Sequence, residues 1–425
     1  MMDKMAQEEI NELILAMARK ARSASRVLRS MKTEKKNSIL LAVAEALHKR
    51  RNSIQEANEK DLAAARKKGM PEAMLNRLHL SDVVMEEMVR GLNEVVALED
   101  PVGEVNEMHR RPSGIVVGRM RVPLGVICMI YESRPNVTID AAAIYLESGN
   151  VVILRGGSEA LHSNLALAEI FHAALQSHGV DPGLVQVVPT TDRAAIDVLL
   201  MQEEYIDLVI PRGGEGLIRA VSAKSRIPVL KHYKGVCHAY VDEDADMDMA
   251  ERIILNAKVQ RPSACNSLEG ILVHQAIAGE FLPKISYALH QKGVRMLGCS
   301  RSREISTLIQ PATDADWGKE FLALTLIIRL VESMDEAMDY MDTYGSRHTE
   351  TIITNSYANG QRFLQEMDAS AVMVNASTRL NDGGQFGLGL EIGISTTKLH
   401  AYGPMGLKEL TTRKFVVLGH GEIRT

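Results

Sequence analysis

Cysteine is scarce in this chain of 425 residues: there are four, Cys128, Cys237, Cys265 and Cys299, and they are widely spaced. Thiols so few and scattered argue against a disulfide scaffold and for a reducing compartment. No apolar run approaches the roughly 20 residues that cross a bilayer. The start of the sequence is charged and amphipathic, without the apolar stretch of a signal peptide. A cytoplasmic protein with no membrane partner is therefore expected. A strong charge of one sign is missing too: the formal net charge is -5, and nucleic-acid binding rests on clustered Lys and Arg. The basic residues scattered over 19–51 are interleaved with Glu on a helical stripe and read as a solvated face. There is no internal repeat and no low-complexity tract.

What is present is ample apolar material, 46% of the residues, in a chain long enough for two or three domains. Residues 8–91 are helical in pattern: Leu13, Ala16 and Met17, then Ile39, Leu40, Val43 and Leu47, recur at spacings of three and four. Three or four helices fit, with Thr33 and Ser81 as N-caps. Over residues 102–121, Gly103, Pro112, Gly114 and Gly118 separate short alternating runs, which predicts a β-hairpin flap that needs a partner. Strand-like runs at 125–131, 151–155, 184–188, 206–210 and 236–241 then alternate with helices, one spanning 137–147 and closed by Gly149-Asn150. Such alternation implies parallel βαβ units in a doubly wound α/β sheet. After the Asp-rich link 242–248 a second α/β set has strands at 269–273, 324–331, 351–354 and 371–375, and Arg413-Lys-Phe-Val-Val-Leu418 forms a last strand.

The segment Gln260-Arg-Pro-Ser-Ala-Cys-Asn-Ser-Leu-Glu-Gly270 sets Cys265 in a polar loop that runs into an apolar strand. A structural cysteine usually sits inside an apolar element. Taken alone, the segment leaves both a nucleophile and a buried thiol open. Ile210-Pro-Arg-Gly-Gly-Glu-Gly216 joins a strand to a helix, where free backbone N–H groups suit a pyrophosphate; an ordinary glycine turn would look the same. Val151-Val-Ile-Leu-Arg-Gly-Gly-Ser158 is a second such turn, and Arg155 beside two glycines suits a phosphate. His232, Cys237 and His238 do not make a metal site, because neighbours in a strand point to opposite faces. Asp382-Gly-Gly-Gln-Phe-Gly-Leu-Gly389 reads either as a loop closing over a small ligand or as a plain connection.

The pieces and their order resemble the gamma-glutamyl phosphate reductase family of the aldehyde dehydrogenase superfamily. The match rests on Gly125-Val-Ile, Tyr131-Glu-Ser-Arg-Pro-Asn-Val137, Gly149-Asn-Val-Val-Ile-Leu-Arg-Gly-Gly157, His232-Tyr-Lys-Gly-Val-Cys-His238, Gln260-Arg-Pro-Ser-Ala-Cys-Asn266, Gly387-Leu-Gly-Leu-Glu-Ile-Gly-Ile-Ser395 and Gly403-Pro-Met-Gly-Leu407. The resemblance implies an NADPH-dependent reduction of L-glutamyl 5-phosphate to the 5-semialdehyde and phosphate, the second step from glutamate to proline. It implies Cys265 as the nucleophile that forms a thioester, and Asn136 as an oxyanion donor. Arg155, Gly156 and Ser158 would serve the adenosine end of the cofactor, Gly213 and Gly214 its pyrophosphate, and Glu320 the nicotinamide ribose. Arg134, Lys234 and Arg261 are charge partners for substrate phosphate or α-carboxylate, or else solvated loop residues.

The resemblance further implies a Rossmann-like NADP-binding domain with the N-terminal helices over 1–241, a catalytic domain over 242–396, and a C-terminal return over 397–425 whose strand pairs across a homodimer or tetramer. Functional coupling to glutamate 5-kinase follows from the same resemblance. Lys231-His-Tyr-Lys-Gly235 stands where hydrolytic relatives carry a glutamate base in a Glu-Leu-Gly-Gly segment, so phosphate rather than water is the expected acyl acceptor in reverse. One departure is Tyr402, where the family has arginine. Tyr344-Gly-Ser-Arg-His-Thr-Glu350 also fits the family, with no catalytic role assigned to His348. The rival readings are an NAD-linked hydrolytic aldehyde dehydrogenase and a non-catalytic oligomeric binding protein on the same fold.

Overall fold

Ile39, Leu40, Val43 and Leu47 share one helix face and are all buried, as their spacing requires. The computed structural model describes residues 2–132, 134–231 and 233–424, without side chains for residues 2–6 and Ala73. Ser133 and His232, both in motifs singled out above, lie outside the described residues. The chain divides into two compact units: Met1–Lys231 with Leu388–Gly393 and Met405–Thr425, and His232–Gly387 with Ile394–Pro404.

The first unit begins with five helices, α1 (Met2–Leu28), α2 (Thr33–Lys49), α3 (Arg51–Lys67), α4 (Glu72–Leu78) and α5 (Asp82–Val96). The fifth escapes the sequence pattern because α4 has only seven residues, too few to display a stripe. Ser81 caps α5, accepting from the Val84 N–H at 3.4 Å. Thr33 does not cap α2; Lys32 holds that position, and the Thr33 hydroxyl donates to Asp100 at 2.8 Å. The flap is a hairpin of β1 (Val105–Arg110) and β2 (Val116–Pro123). There follow β3 (Val126–Tyr131), α6 (Val137–Glu147), β4 (Val151–Arg155), α7 (Leu161–Ser177), β5 (Val185–Val187), α8 (Ala194–Leu199), β6 (Leu208–Arg212) and α9 (Glu215–Lys224). The four strands are parallel in the order β5-β4-β3-β6. Helix α6 has the predicted bounds, and Gly149 turns the chain out of it at φ +77°, a left-handed conformation that favours glycine.

The second unit holds β7 (Cys237–Val241), α10 (Met247–Val259), β8 (Leu268–His274), α11 (Gln275–Gln291), β9 (Arg295–Gly298), α12 (Ser300–Ile305), β10 (Ile309–Pro311), β11 (Thr325–Val331), α13 (Met334–Tyr344), β12 (Thr349–Ile353), α14 (Tyr357–Glu366) and β13 (Ala371–Val374). Its seven strands are all parallel, in the order β10-β9-β11-β8-β7-β12-β13. Alternate residues feed two cores: Ala239, Val241, Ile271 and Val273 pack with Phe281 and Ile285 of α11, while Tyr240 and Leu272 pack with Met341 of α13 and Phe363 of α14. Truncating one of these large side chains to Ala would cost about 2–5 kcal/mol.

Strand β7, which the alternation assigned to the first sheet, lies between β8 and β12 in the second. All five of its residues are buried, and a strand covered on both faces carries no mark of which sheet it joins. Strands β9 and β10, four and three residues long, are additional to the predicted set. The C-terminal return is also shared out: β14 (Ile394–Thr396) and β15 (Tyr402–Pro404) pair antiparallel in the second unit. The chain then re-enters the first unit as β16 (Thr411–Leu418), which pairs antiparallel with β2 along its whole length. The last strand takes the edge of β2 within its own chain and is itself an outer strand of the sheet β1-β2-β16. None of the described helices is long and apolar enough to cross a membrane.

Candidate active site

The turn carrying Cys265 joins the end of α10 to the start of β8, at the amino edge of the second unit's sheet. Two backbone bonds shape it, Ala264 N–H to Arg261 O at 3.1 Å and Ser267 N–H to Ala264 O at 3.0 Å. Cys265 is half-buried, whereas Cys128 and Cys237 are buried. Burial pushes the Cys128 thiol up to about 12 and raises that of Cys237 as well, so both stay protonated at neutral pH. Their sulfurs are poor nucleophiles.

The backbone of Cys265 is held by contacts that leave little freedom. A Cβ placed on Gly235 would come within 2.0 Å of the Cys265 carbonyl oxygen and 3.0 Å of its Cα, so only glycine fits there. The Gly235 N–H donates to Glu320 Oε1 at 2.9 Å, and the Cys237 thiol donates to the Cys265 carbonyl at 3.3 Å. Lys234 is committed to the same neighbourhood, its Nζ donating to Gly318 O at 2.8 Å. On the other side Asn266 is gripped three times: its Nδ2 donates to Asn381 O at 2.9 Å, its carbonyl accepts from Thr378 Oγ1 at 2.7 Å, and its Oδ1 accepts from Arg379 Nη1.

Beside this turn lies a buried ion pair. Lys258 Nζ donates to Glu269 Oε2 at 2.9 Å, and Glu269 Oε1 accepts from the Leu322 N–H at 3.2 Å. Burial pushes Glu269 up to about 7, against the attraction of Lys258. Leu322 has φ +52°, a conformation uncommon outside glycine, and the bond to Glu269 helps hold it there. The second unit thus gathers Cys265, Lys234 and Glu320 on interlocking loops, with Arg261 exposed at the first position of the turn.

The first unit presents three turns at the carboxyl ends of neighbouring strands. Strand order reverses between β3 and β6, which is where open α/β sheets take their ligands. After β6, Gly213 and the N-cap Gly214 are exposed at the start of α9, and no atom lies within 4 Å of a Cβ placed on Gly214. The Gly214 N–H donates to Glu132 Oε2 at 3.1 Å, so a carboxylate oxygen already lies where a helix N-terminus favours negative charge. After β4, Arg155 is only 7% exposed. Its Nη1 donates to Gly156 O at 2.8 Å and its Nη2 to Thr191 O at 3.2 Å, while its buried Nε has no partner among the described residues. Burial lowers its pKa. Ser158 is exposed and opens a single 3₁₀ turn. After β3 come Arg134, exposed, and Asn136, whose Nδ2 donates to Asp140 Oδ2 at 3.0 Å. Burial pushes Asp140 up to about 7 while that bond opposes the shift.

Comparison with known proteins gives these turns a context. The model of the aldehyde dehydrogenase family matches residues 4–312. A gamma-glutamyl phosphate reductase of Desulfotalea psychrophila is 58% identical over 416 residues, covering 98% of this chain and 100% of the relative. One from Desulfatibacillum aliphaticivorans is 56% identical with the same coverage. The crystal structure of gamma-glutamyl phosphate reductase from Thermotoga maritima superposes with a TM-score of 0.95 at 46% identity, covering 97% of this chain and 100% of that one. The chain belongs to the gamma-glutamyl phosphate reductase group of the aldehyde dehydrogenase family.

The fold of the aldehyde dehydrogenase family extends to an acetylating aldehyde dehydrogenase from Geobacillus thermoglucosidasius, with a TM-score of 0.70 at 16% identity. Members of the family work on small molecules with a nicotinamide cofactor. The first unit fits such a group: the unpartnered Arg155 Nε is a buried donor awaiting an acceptor, and the glycines after β6 leave open space at a helix N-terminus. Tyr402, the departure from the family pattern, opens β15 with its hydroxyl donating to Asp368 at 3.3 Å, a carboxylate that also takes Lys398 at 2.7 Å.

Three residues of these turns were not legible as site residues. Glu132 follows a strand and looks like any loop carboxylate. Glu269 and Arg379 act only through tertiary contacts, Arg379 reaching residues more than a hundred positions away. The one local signal is Glu269 itself, a charge inside an apolar strand at Leu268-Glu-Gly-Ile-Leu-Val273, which asks for a buried partner.

Proposed function

We propose that the protein reduces L-glutamyl 5-phosphate to L-glutamate 5-semialdehyde with NADPH, through a thioester on Cys265. The observation that carries this reading is the presentation of Cys265: a half-buried sulfur on a turn fixed by Gly235, Cys237 and Asn266, with no carboxylate in the 231–235 segment to activate water. The Cys265 thiolate attacks the acyl carbon; the C–S bond forms, the bond from that carbon to the bridging oxygen breaks, and phosphate leaves with the electron pair. Each addition places negative charge on the acyl oxygen. Donors for it would be the Cys265 N–H and the second Nδ2 hydrogen of Asn136, one such donor being worth on the order of 100- to 1,000-fold in rate.

When bound, the reduced nicotinamide supplies the hydride that takes the thioester to the aldehyde level. Gly213 and Gly214 would receive its pyrophosphate at the α9 N-terminus, with Glu132 giving way. Arg155, Gly156 and Ser158 would hold the adenosine ribose, and Glu320 the nicotinamide ribose. A preference for NADPH is supported by a guanidinium at Arg155 and by Ser158 where a repelling carboxylate would otherwise stand. Arg134, Lys234 and Arg261 complete the set as partners for the substrate's anionic groups. We extend the same reading to assembly. Phe415, Val417 and Leu418 of β16 with Val105 and Met108 of β1 are exposed apolar residues of one three-stranded sheet and suit a contact between copies. A cytoplasmic setting and coupling to glutamate 5-kinase, which would pass on an acyl phosphate before it hydrolyses, belong to this reading too.

The test is oxidation of the semialdehyde with NADP, with and without phosphate, for the wild type and Cys265→Ala. Strict dependence on phosphate and loss of turnover in the variant, with NADPH binding retained, are expected. Oxidation that runs equally well without phosphate would defeat the proposal.

A further inference from the structure

The guanidinium of Arg379 bridges two loops of the second unit. It comes from the loop after β13, and it straddles the Cys265 turn, with Nε donating to Gln260 Oε1 at 2.7 Å and Nη1 to Asn266 Oδ1. Those two acceptors lie five residues before the cysteine and one after it. The neighbouring Thr378 hydroxyl grips the Asn266 carbonyl, so the loop and the turn are one assembly. Among the described residues, Nη2 donates to nothing, and neither Arg379 nor Arg261 forms an ion pair.

Arg379 is also close enough to its surroundings for their charges to act on it. Partial burial depresses its pKa, the positive charge of Arg261 adds to that, and Asp382, Cys265 and Cys237 oppose it. Arg261, exposed at the start of the turn, puts a second guanidinium on the segment between Gln260 and Asn266 that Arg379 straddles and that carries Cys265.

We infer that Arg379, together with Arg261, binds the phosphate of the acyl phosphate beside Cys265. Nη2 is the donor available to a phosphate oxygen, and the planar fork that already holds Gln260 and Asn266 fixes its direction. As the thiolate forms the C–S bond, the leaving phosphate gains negative charge at the breaking C–O bond, and a guanidinium there stabilises it. In the reverse direction the same pair captures the incoming phosphate that attacks the thioester. The assignment rests on the acyl-phosphate reading above and adds a residue to it.

The experiment compares the wild type with Arg379→Met and Arg379→Lys in the oxidative direction, varying inorganic phosphate and NADP separately. It also follows alkylation of Cys265 by iodoacetamide with and without phosphate. In Arg379→Met the half-saturating phosphate concentration should rise by about tenfold or more, with that for NADP changed less than about twofold. Phosphate should shield Cys265 from alkylation in the wild type and fail to do so in Arg379→Met, with partial shielding in Arg379→Lys. Unchanged phosphate dependence with a uniform loss of turnover would mean that Arg379 only braces the turn, and would overturn the assignment. Should Arg379→Met not fold, Arg379→Lys decides the same question: a raised half-saturating phosphate concentration with partial shielding supports the assignment, and wild-type values for both overturn it. A wild type that needs no phosphate would sink the underlying reading instead, a result visible before any variant is made.

Discussion

The glycine turn after β6 and the glycine before β7 look alike in sequence, yet the two are used in opposite ways. Gly214 has open space around it and stands at the N-terminus of helix α9. Gly235 is pressed against the backbone of Cys265 so closely that any side chain would collide with the carbonyl. In the proposed reading the first turn admits a large, flexible ligand, and it is left loose. The second must hold a single atom in one place and is held by loops on either side, by Glu320 through Gly235 and by residues 378–381 through Asn266. A site for binding and a site for bond-making thus ask different things of the same residue type.

The contrast is sharpest in Gly235→Ala. The added methyl cannot be accommodated without moving Cys265, so kcat/KM should fall by about a hundredfold or more, with overpacking costing about 1–3 kcal/mol in stability. Steady-state kinetics beside thermal melts checks this, and near-normal turnover would show that the cysteine turn is not fixed by that contact. Next in size is Arg155→Met. It should raise the KM for NADPH by about tenfold while leaving that for NADH nearly unchanged; equal losses for both cofactors would remove Arg155 from the 2'-phosphate. Gly214→Ala should be milder, with an unaltered melting temperature and an NADPH KM raised about threefold by crowding of the pyrophosphate. A marked loss of stability there would erase the distinction between the loose turn and the tight one.

A separate effect, on stability and not on turnover, concerns two buried carboxyls. Glu269 is matched by Lys258, whereas Glu147, at the end of α6, has neither carboxyl oxygen bonded among the described residues. Burial pushes Glu147 from its usual 4.5 up to about 7, with Lys36 opposing. The folded protein therefore holds this proton more tightly than the unfolded chain. Its contribution to stability is complete below pH 4.5 and fades as pH rises through 7, by at most roughly 3 kcal/mol. Glu147→Gln should remove that slope, so the variant gains on the wild type between pH 5 and pH 8 in denaturant titrations. Parallel curves for the two proteins would show that Glu147 does not titrate in this range.

Much of this arrangement could be read from the chain, and the failures have physical causes. Helix α6 was legible to the residue because Gly149 and Asn150 end it, and Ser81 because its hydroxyl lies three residues before the N–H it caps. Strand β7 was assigned to the wrong sheet, since a strand buried on both faces reports only that it is buried. Cys265 stood out because a polar loop is an odd place for a structural thiol. Arg379 did not, because its partners are fixed by the fold and its own neighbours, Thr378 and Leu380, carry no hint of them. The C-terminal strand was recognised as a strand, but sequence could not say that β2 of the same chain would take it.

That last pairing also bears on how the chain is made. Thr411 in β16 meets Pro123 in β2, and every residue of the second unit is translated between the two. The cysteine-bearing unit can complete its sheet while the chain is still being made, whereas the flap waits with a bare edge until β16 has been translated. The nascent protein thus carries an unpaired strand edge for as long as the whole second unit takes to emerge.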